Sequence, residues 1–332
     1  MLARRLPGLL PPLDADECIE VTRVHSAAGL LAGRGLVRER PFRAPHHTAS
    51  DAAMCGGGAR PRPGEVTLAH RGVLFLDEFP EFSRRALESL REPLEAGEIH
   101  VARAAMSLCF PARVLLVAAM NPCPCGNFDV TRPAAVPQPV RITASSSGGP
   151  GALAASGLWW RAGVGSGAAG VGGGAAGSLC LCSFEQLQRY RARISGPLLD
   201  RIDLHVAVAA VPYRDYARSQ PGETTAVVRE RVRAARERQT ARLGPGRANA
   251  CLTDAELREL VPLHGEALRL IEAAIDEQGL STRAIGRVLK VARTVADLAS
   301  EPLVAAEHVR EALGLRLLDY TGAQPAKGSE AA

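Results

Sequence analysis

The sequence predicts an α/β fold with a parallel-sheet core, followed by an α-helical domain. Two apolar runs, GVLFLDE at Gly72–Glu78 and RVLLVAAM at Arg113–Met120, have the length and composition of buried parallel strands. From Thr253 onward the sequence predicts helices packed on one face, because apolar residues recur at three- and four-residue steps: Ala284, Val288, Val291, Val295 and Leu298. A further helix is predicted at Glu301–Leu317. The 332 residues suffice for one large core or two smaller ones.

The first strand ends in two adjacent carboxylates, Asp77 and Glu78. Open α/β sheets bind their ligands at the carboxyl ends of the strands. Asp77 can hold Mg²⁺ directly or through a water, because magnesium keeps much of its hydration. Glu78 is then free to orient and polarise an attacking water, as phosphoryl transfer requires. For this pair alone, the alternative is a buried strand that ends at a solvated acidic turn.

The segments after the acid pair predict a helix, a hairpin and the second strand. Ser83 is a predicted N-cap for a helix that runs through Leu94. Ile99–Arg103 and Ser107–Phe110 flank a predicted hairpin. The second strand then ends at Asn121, whose amide can align the same water or sense a γ-phosphate. The alternative for Asn121 is an ordinary turn residue.

Four longer segments carry a recognisable pattern. They are FRAPHHTAS at Phe42–Ser50, GGGARPRPGEVTLAHRGVLFLDEFPEF at Gly56–Phe82, VAAMNPCPCG at Val117–Gly126 and RYRARISGPLLDRIDLHV at Arg189–Val206. Together they resemble the magnesium-chelatase-like AAA+ ATPases, and among these the ComM (YifB) group. The resemblance covers nearly everything outside Asn127–Leu179 and the end of the chain.

The resemblance implies an AAA+ core of the P-loop type with a helical lid, using ATP and Mg²⁺. By it, Asp77 and Glu78 are the Walker B pair, Asn121 is sensor 1, and Asp77, Asn121 and Arg283 bind the cofactor. Arg201 matches the arginine finger that reaches a neighbouring subunit's nucleotide, and Arg283 matches sensor 2 on the lid. A guanidinium suits both roles because it stays charged and presents forked donors to phosphate oxygens. For either arginine the alternative is a solvated surface charge.

The phosphate-binding loop of this family has no counterpart in the sequence. Such a loop needs a Gly-rich backbone followed by Lys and Ser or Thr, but the two lysines, Lys290 and Lys327, do not follow one. Met1–Leu13 resembles the helix that directly follows the loop lysine in the family, and the family's preceding Lon-protease-like domain is also missing. We therefore expect a truncated product or a misassigned start, which the in-frame upstream DNA would test.

The predicted domains are an α/β core at 1–212, a helical linker and C-terminal lid at 213–320, and a disordered tail at 321–332. The core contains a low-complexity insertion at 127–179, dominated by Gly, Ala, Ser and Pro. This composition buries too little apolar area to offset the entropy of ordering, so we expect disorder there. Either a lineage-specific loop or a stretch translated in the wrong frame explains the insertion.

Four of the eight cysteines form two C-x-C pairs, Cys123 with Cys125 and Cys180 with Cys182. Four thiolates can make a closed tetrahedral zinc site, although C-x-C spacing is tighter than the usual C-x₂-C. The alternative is reduced cysteines near the surface. The other cysteines have no partner at ligand spacing and are expected to be small buried side chains: Cys18, Cys55, Cys109 and Cys251.

Two further motifs favour plain structural interpretations. His46 and His47 lie in a loop rich in Pro and Ala without nearby thiol or carboxylate partners, so we expect hydrogen-bonding loop residues rather than metal ligands. Gly56–Gly58 suggests a phosphate cradle, but without a following lysine a flexible turn is the better interpretation.

Composition indicates the cellular compartment of the protein and the kinds of partner that it can bind. A net charge of +5 and a pI near 8.9 permit nucleic-acid binding without demanding it. No apolar run approaches the length of a membrane span, and prolines interrupt the leucine-rich start. Eight cysteines without a secretory signal fit a reducing compartment. The sequence thus predicts a cytoplasmic protein with no membrane partner.

The resemblance also implies a function. The ComM group consists of ring-forming motors, hexameric homo-oligomers that couple ATP hydrolysis to DNA remodelling, as branch-migration helicases in natural transformation. His100 and Arg103, on the predicted hairpin, are candidates for contacting DNA in the pore; the alternative is a charged tip that faces solvent. Two other functions stay open, a metal-chelatase motor subunit and a truncated remnant that does not hydrolyse ATP.

Overall fold

A computed structural model describes residues 1–31, 33, 35–57, 61–103, 106–127, 180–208, 211, 213–218, 222–278 and 280–316. The chain divides into two compact units. Unit 1 comprises Met1–Ala119, Ile194–Val206 and Arg218–Ala332, and unit 2 comprises Met120–Arg193 and Ala207–Ala217. The tail predicted at 321–332 and nearly all of the predicted insertion lie outside the described residues, and the predicted domain boundaries stay a prediction.

Seven strands, all in unit 1, and thirteen α-helices make up the described structure. The strands are β1 (Phe42–Arg43), β2 (Gly56–Gly57), β3 (Arg62–Pro63), β4 (Val73–Leu76), β5 (Glu98–Arg103), β6 (Met106–Pro111) and β7 (Leu115–Ala118). The helices are α1 (Ala15–Ala27), α2 (Asp51–Cys55), α3 (Glu65–Leu68), α4 (Arg84–Ser89), α5 (Arg91–Ala96), α6 (Phe184–Arg191), α7 (Gly196–Leu199), α8 (Tyr213–Arg218), α9 (Thr225–Leu243), α10 (Asp254–Leu260), α11 (Gly265–Gln278), α12 (Thr282–Leu298) and α13 (Ala306–Gly314). Short 3₁₀ helices span Leu2–Gly8, Phe79–Glu81 and Asn249–Cys251.

The core of unit 1 is a parallel sheet in the order β1-β4-β7, which confirms the predicted α/β class. Val73 pairs with Phe42 on one side and with Leu115 on the other. Three of the four β4 side chains are fully buried, as expected for a central parallel strand. Gly72, just before β4, approaches Pro41 so closely that a Cβ would collide with the Pro41 carbonyl oxygen. Only glycine therefore lets β1 and β4 pair at this register.

The segment after the acid pair contains two short helices where the sequence predicts one. Ser83 caps α4 as predicted, because its Oγ accepts a hydrogen bond from the Ala86 backbone N–H at 3.1 Å. The helix is interrupted at Leu90, which ends α4 and precedes α5. Pro93 explains the break, since it has no N–H to donate to the Ser89 carbonyl. The Cys55 thiol donates to that carbonyl instead, at 3.4 Å.

The predicted hairpin is confirmed as β5 and β6, which pair from Glu98 with Pro111 to Arg103 with Met106. The two glycines Gly56 and Gly57, expected in a flexible turn, form β2 and pair with β3 in a second short hairpin. Gly58, the third glycine of that motif, lies outside the described residues.

The C-terminal part of unit 1 is helical, as predicted from its periodicity. Thr253 caps α10 in a reciprocal capping box with Glu256. The helix predicted at Glu301–Leu317 is α13, which begins only at Ala306 because Pro302 and the left-handed Ser300 precede it. Helices α9 to α13 share one apolar core.

The buried face of α12 differs from the predicted stripe of Ala284, Val288, Val291, Val295 and Leu298. The row that is buried is Ala284, Val288, Ala292 and Ala296, whereas Leu298 is 48% exposed. Val291 and Val295 are half-buried. Small alanines let α9 and α13 pack closely on α12, so the buried row follows helix proximity rather than side-chain size.

Two charged residues also lie on the buried side of α12. Asp297 is 1% exposed and accepts hydrogen bonds from Arg242 at 2.7 Å, Arg293 at 3.0 Å and the Asn249 side chain at 2.8 Å. Burial alone would raise the pKa of Asp297, but the hydrogen bonds from Arg242 and Asn249 bring it below the ordinary value. We call this set the lid ion network.

Candidate functional site

The acid pair lies on a turn that backbone hydrogen bonds hold in place. The Phe79 N–H donates to the Ala119 carbonyl, and the Ala119 N–H donates to the Leu76 carbonyl, each at 2.9 Å. Asp77 and Glu78 lie between these two bonds, and both are exposed. The structure thus confirms that a buried parallel strand presents both acids at its carboxyl end.

Glu78 adopts a left-handed conformation, with φ 50° and ψ 44°. Such a conformation costs a non-glycine residue about 1–2 kcal/mol, and backbone strain of this kind concentrates at functional sites. The backbone N–H of Glu78 donates to Asp77 Oδ1 at 3.0 Å, which orients the Asp77 carboxylate. The turn therefore fixes the backbone of both acids and leaves their side chains directed outward.

His47 contacts the second acid of this turn. Its Nδ1 lies 2.8 Å from Glu78 Oε2, and its ring lies 4.1 Å from that of His46, centroid to centroid. His46 Nδ1 in turn lies 2.9 Å from the Thr48 hydroxyl. Both histidines are hydrogen-bonding loop residues, as predicted. The contact between His47 and Glu78 escaped the sequence analysis, although both residues follow neighbouring parallel strands.

Asn121 follows β7 after two intervening residues and is exposed. It belongs to unit 2, whereas Asp77 and Glu78 belong to unit 1. As predicted, Asn121 follows the strand that pairs with β4. Its role as sensor 1 stays a prediction.

Arg201, one of the two predicted phosphate-binding arginines, binds the carboxylate of Glu95, and the charge of the other, Arg283, acts on the same carboxylate. Arg201 forms an ion pair with Glu95 and donates a second hydrogen bond to the Pro197 carbonyl at 2.5 Å, so its side chain is only 9% exposed. The hydrogen bond from Arg201 lowers the pKa of Glu95, and the charges of Arg283 and Arg91 lower it further. Glu95 lies 106 positions before Arg201, and no motif in the sequence indicates this contact.

The segment that carries Arg201 is also tied to the C-terminal helices. Arg287, one turn after Arg283 on α12, donates to Asp203 at 3.1 Å. Arg316 donates to the Ile202 carbonyl at 2.7 Å. The segment around Arg201 is therefore held by direct contacts with α12 and with Arg316, just after α13.

The two C-x-C pairs converge in unit 2. All four sulfur atoms lie within 4.8 Å of one another, and we call them the thiol cluster. Cys123 Sγ lies 3.2 Å from Cys125 Sγ and 3.7 Å from Cys180 Sγ, and Cys125 Sγ lies 3.6 Å from Cys180 Sγ. A hydrogen bond from the Asn127 backbone lowers the pKa of Cys125 to about 6, whereas burial raises the pKa of Cys180 to about 12.

Comparison with known proteins decides the family. Residues 1–145 and 168–216 match the family model described as magnesium chelatase, subunit ChlI, and residues 222–316 match the model of the ChlI C-terminal domain. The chain belongs to the magnesium chelatase ChlI family. This confirms the resemblance on which the Walker B and sensor assignments depend.

Within the ChlI family, the chain is similar to the YifB and ComM proteins. It is 39% identical to the uncharacterised protein YifB of Escherichia coli K12 over 320 residues, which are 96% of this chain and 54% of that protein. It is 40% identical to the competence protein ComM of Haemophilus influenzae Rd over 319 residues, 96% of this chain and 53% of that protein. The chain thus spans about half the length of these curated relatives.

Two of the isolated cysteines of this ChlI-family chain are not buried. Cys18 is buried and Cys55 half-buried, but Cys109 and Cys251 are exposed, so the prediction of small buried side chains is wrong for the latter two. Cys109 lies on the open face of the β5–β6 hairpin, where its thiol donates to Glu98 at 3.2 Å. Cys251 lies in a surface 3₁₀ turn.

The hairpin also carries the candidate DNA-contacting residues. His100 pairs with Cys109 across the hairpin and is exposed. Arg103 is the last residue of β5, but its side chain lies outside the described residues. In the described part of the chain, no helix is both long enough and apolar enough to cross a bilayer.

Proposed function

We propose that this chain carries the hydrolysis site of an AAA+ ATPase motor of the ChlI family. The observation that supports this most strongly is the acid turn, where Asp77 and Glu78 lie exposed on a fixed backbone after a parallel strand with three of its four side chains fully buried. Glu78 also has a left-handed backbone, which costs a non-glycine residue energy, and such strain concentrates at functional sites. The alternative is a solvated acidic turn.

In this proposal Asp77 binds magnesium and Glu78 acts on the attacking water. Asp77 uses one oxygen to accept the Glu78 N–H and would hold Mg²⁺ with the other, directly or through water. Bound magnesium would neutralise charge on the phosphates of ATP. Glu78 would accept a proton from, and orient, the attacking water. His47, at 2.8 Å, holds the Glu78 carboxylate in one orientation. Asn121 is the proposed sensor 1.

The arginines would act on the phosphates only after a change of partner. Arg201 is bound to Glu95 within its own chain, so it must exchange that carboxylate for a phosphate before it can serve a neighbouring subunit. The phosphate would replace the carboxylate as the anionic partner of the guanidinium, and an arginine finger is worth about 10³ to 10⁵ in rate. Arg283, whose charge also acts on Glu95, would bind the nucleotide of its own chain. This arrangement requires a ring of identical subunits, which we propose is a hexamer.

The proposed substrate is DNA, remodelled by branch migration during natural transformation in the cytoplasm. Support comes from the similarity to a protein named competence protein ComM and from the net positive charge. Exposed His100 and neighbouring Arg103 are the candidate contacts on the hairpin. A metal-chelatase motor is the alternative, and stimulation of ATP hydrolysis by DNA distinguishes the two.

The test is Mg²⁺-dependent ATP hydrolysis by the chain, measured with and without DNA. We expect Glu78→Gln to lower kcat by about 10²-fold or more, because the water loses its base. ATP binding, measured by calorimetry, should be unchanged. The matched control is Glu39→Gln, which replaces another exposed glutamate.

Two outcomes would contradict the proposal. Equal hydrolysis by the wild type and by Glu78→Gln would remove Glu78 from the reaction. A folded wild-type chain that binds no Mg²⁺-ATP would favour the remnant, an alternative that the lack of a loop lysine keeps open. Binding that is lost in Asp77→Asn would support the proposed metal role.

A further inference from the structure

We propose that the thiol cluster of Cys123, Cys125, Cys180 and Cys182 binds one structural zinc ion. The four side chains meet although the two pairs lie 55 positions apart between Cys125 and Cys180. The thiol cluster shares no residue with the acid turn. The absence of zinc would therefore contradict this proposal alone, and the absence of ATP hydrolysis would contradict only the proposed function.

The sulfur positions suit a single tetrahedral ion. With zinc–sulfur bonds of about 2.3 Å, the corners of a tetrahedron lie about 3.8 Å apart. The three measured separations are 3.2, 3.6 and 3.7 Å, and every pair in the cluster lies within 4.8 Å. Sulfurs this close leave no room for the larger core of an iron–sulfur cluster. A closed set of four protein ligands is the arrangement of structural rather than catalytic zinc.

Backbone N–H groups lie beside three of the sulfur atoms. That of Asn127 is near Cys125, that of Cys182 is near Cys180, and that of Cys125 is near Cys182. Hydrogen bonds from such groups orient metal ligands and spread the negative charge of thiolates. Reduced thiols on a surface loop need no such arrangement.

The surroundings supply both rigidity and charge. Pro122 and Pro124 fix the backbone on either side of Cys123, whose side chain is fully buried. Leu187 of α6 packs on the cluster. A zinc ion with four thiolates carries a net charge of −2. Arg191, half-buried at the end of α6, lies close enough to interact electrostatically with Cys123 and offsets part of that charge.

Zinc in this position would join two segments of unit 2. One is the turn at Cys123–Gly126, closed by a hydrogen bond from the Gly126 N–H to the Cys123 carbonyl at 3.0 Å. The other is the start of α6, where Ser183 forms a capping box with Gln186. Both segments are locally ordered, so the ion would fix their mutual position rather than fold them.

The test is metal analysis of the purified chain. We expect one zinc per chain in the wild type, loss of that zinc in Cys123→Ser and Cys180→Ser, and full retention in the control Cys251→Ser, which removes an exposed cysteine outside the cluster. Replacement of zinc by Co²⁺ should give thiolate charge-transfer absorption and the visible bands of a tetrahedral ion. X-ray absorption at the zinc edge should show sulfur ligands at about 2.3 Å.

A second variant keeps the test decisive if the serine variants fold poorly. Cys182→His retains a zinc ligand, so it should bind the metal and shift the cobalt bands toward a mixed sulfur and nitrogen set. A folded wild type that takes up neither zinc nor cobalt would overturn the proposal. So would stoichiometric iron, or a disulfide found by mass spectrometry among these four cysteines.

Discussion

The acid turn and the lid ion network use carboxylates in opposite ways. Asp297 is buried and accepts hydrogen bonds from two arginines and an asparagine, whereas Asp77 and Glu78 are exposed and positioned by backbone hydrogen bonds. Removal of Asp297 leaves buried positive charge without its anion, whereas removal of either exposed acid leaves no buried charge unpaired. The comparison teaches that a buried acid with several charged partners supports the fold, and that an exposed acid on a fixed backbone is free for another role.

The largest expected effect is on stability, in Asp297→Ala. The change leaves the guanidinium of Arg293, which is 2% exposed, without its anion. Removing one partner of a buried pair costs about 3–5 kcal/mol. Asp77→Ala, the matched control, should change the free energy of unfolding by about 0.5 kcal/mol or less. Urea unfolding of both variants measures their free energies of unfolding. Equal losses of stability would show that the buried and the exposed carboxylates contribute alike to the fold.

A smaller effect of opposite sign is expected for Glu78→Gly. Glycine adopts the left-handed conformation without strain, which recovers about 1–2 kcal/mol, and its greater freedom in the unfolded chain costs about 0.5–1 kcal/mol. The net result should be unchanged or slightly raised stability together with lost ATP hydrolysis. A clear loss of stability would mean that the carboxylate supports the fold, contrary to the comparison.

The smallest expected effect is on the pKa of Glu256, and it tests whether hydrogen-bonding partners stabilise a carboxylate without full burial. Glu256 is only half-buried, yet hydrogen bonds from the Thr253 backbone and from Arg247 lower its pKa to about 2. Because this pKa is below the unfolded value, the stabilisation is complete above pH 4.5 and disappears as the pH falls toward 2. Arg247→Gln should raise the pKa of Glu256 part of the way to 4.5, as measured by NMR titration of its carboxyl carbon. Arg258→Gln, on the same helix, should leave it unchanged.

Local signals predicted much of the fold. The caps at Ser83 and Thr253, the hairpin and the buried strand before Asp77 all depend on a few neighbouring residues, and each is confirmed. The buried face of α12 was predicted less well because it is lined by alanines, whose hydrophobicity gives a weak signal.

The parts of the site that were missed depend on long-range contacts. Glu95 meets Arg201 across 106 positions, and nothing in the sequence around Glu95 distinguishes it from other surface glutamates. His47 was assigned correctly as a loop residue, but its partner Glu78 follows a different strand. The thiol cluster agrees with the four-ligand interpretation of the two C-x-C pairs, one of the two interpretations that their spacing left open.

The edge of β7 that faces away from β4 affects how readily this chain aggregates. Within the described structure, β7 pairs only with β4, and Leu115 on it is 41% exposed. Unpaired strand edges are templates for pairing with other polypeptides, which favours aggregation at high concentration. The same edge can accept one more parallel strand without disturbing the opposite side of β4. Solubility in the laboratory should therefore improve when a polypeptide that supplies such a strand is present.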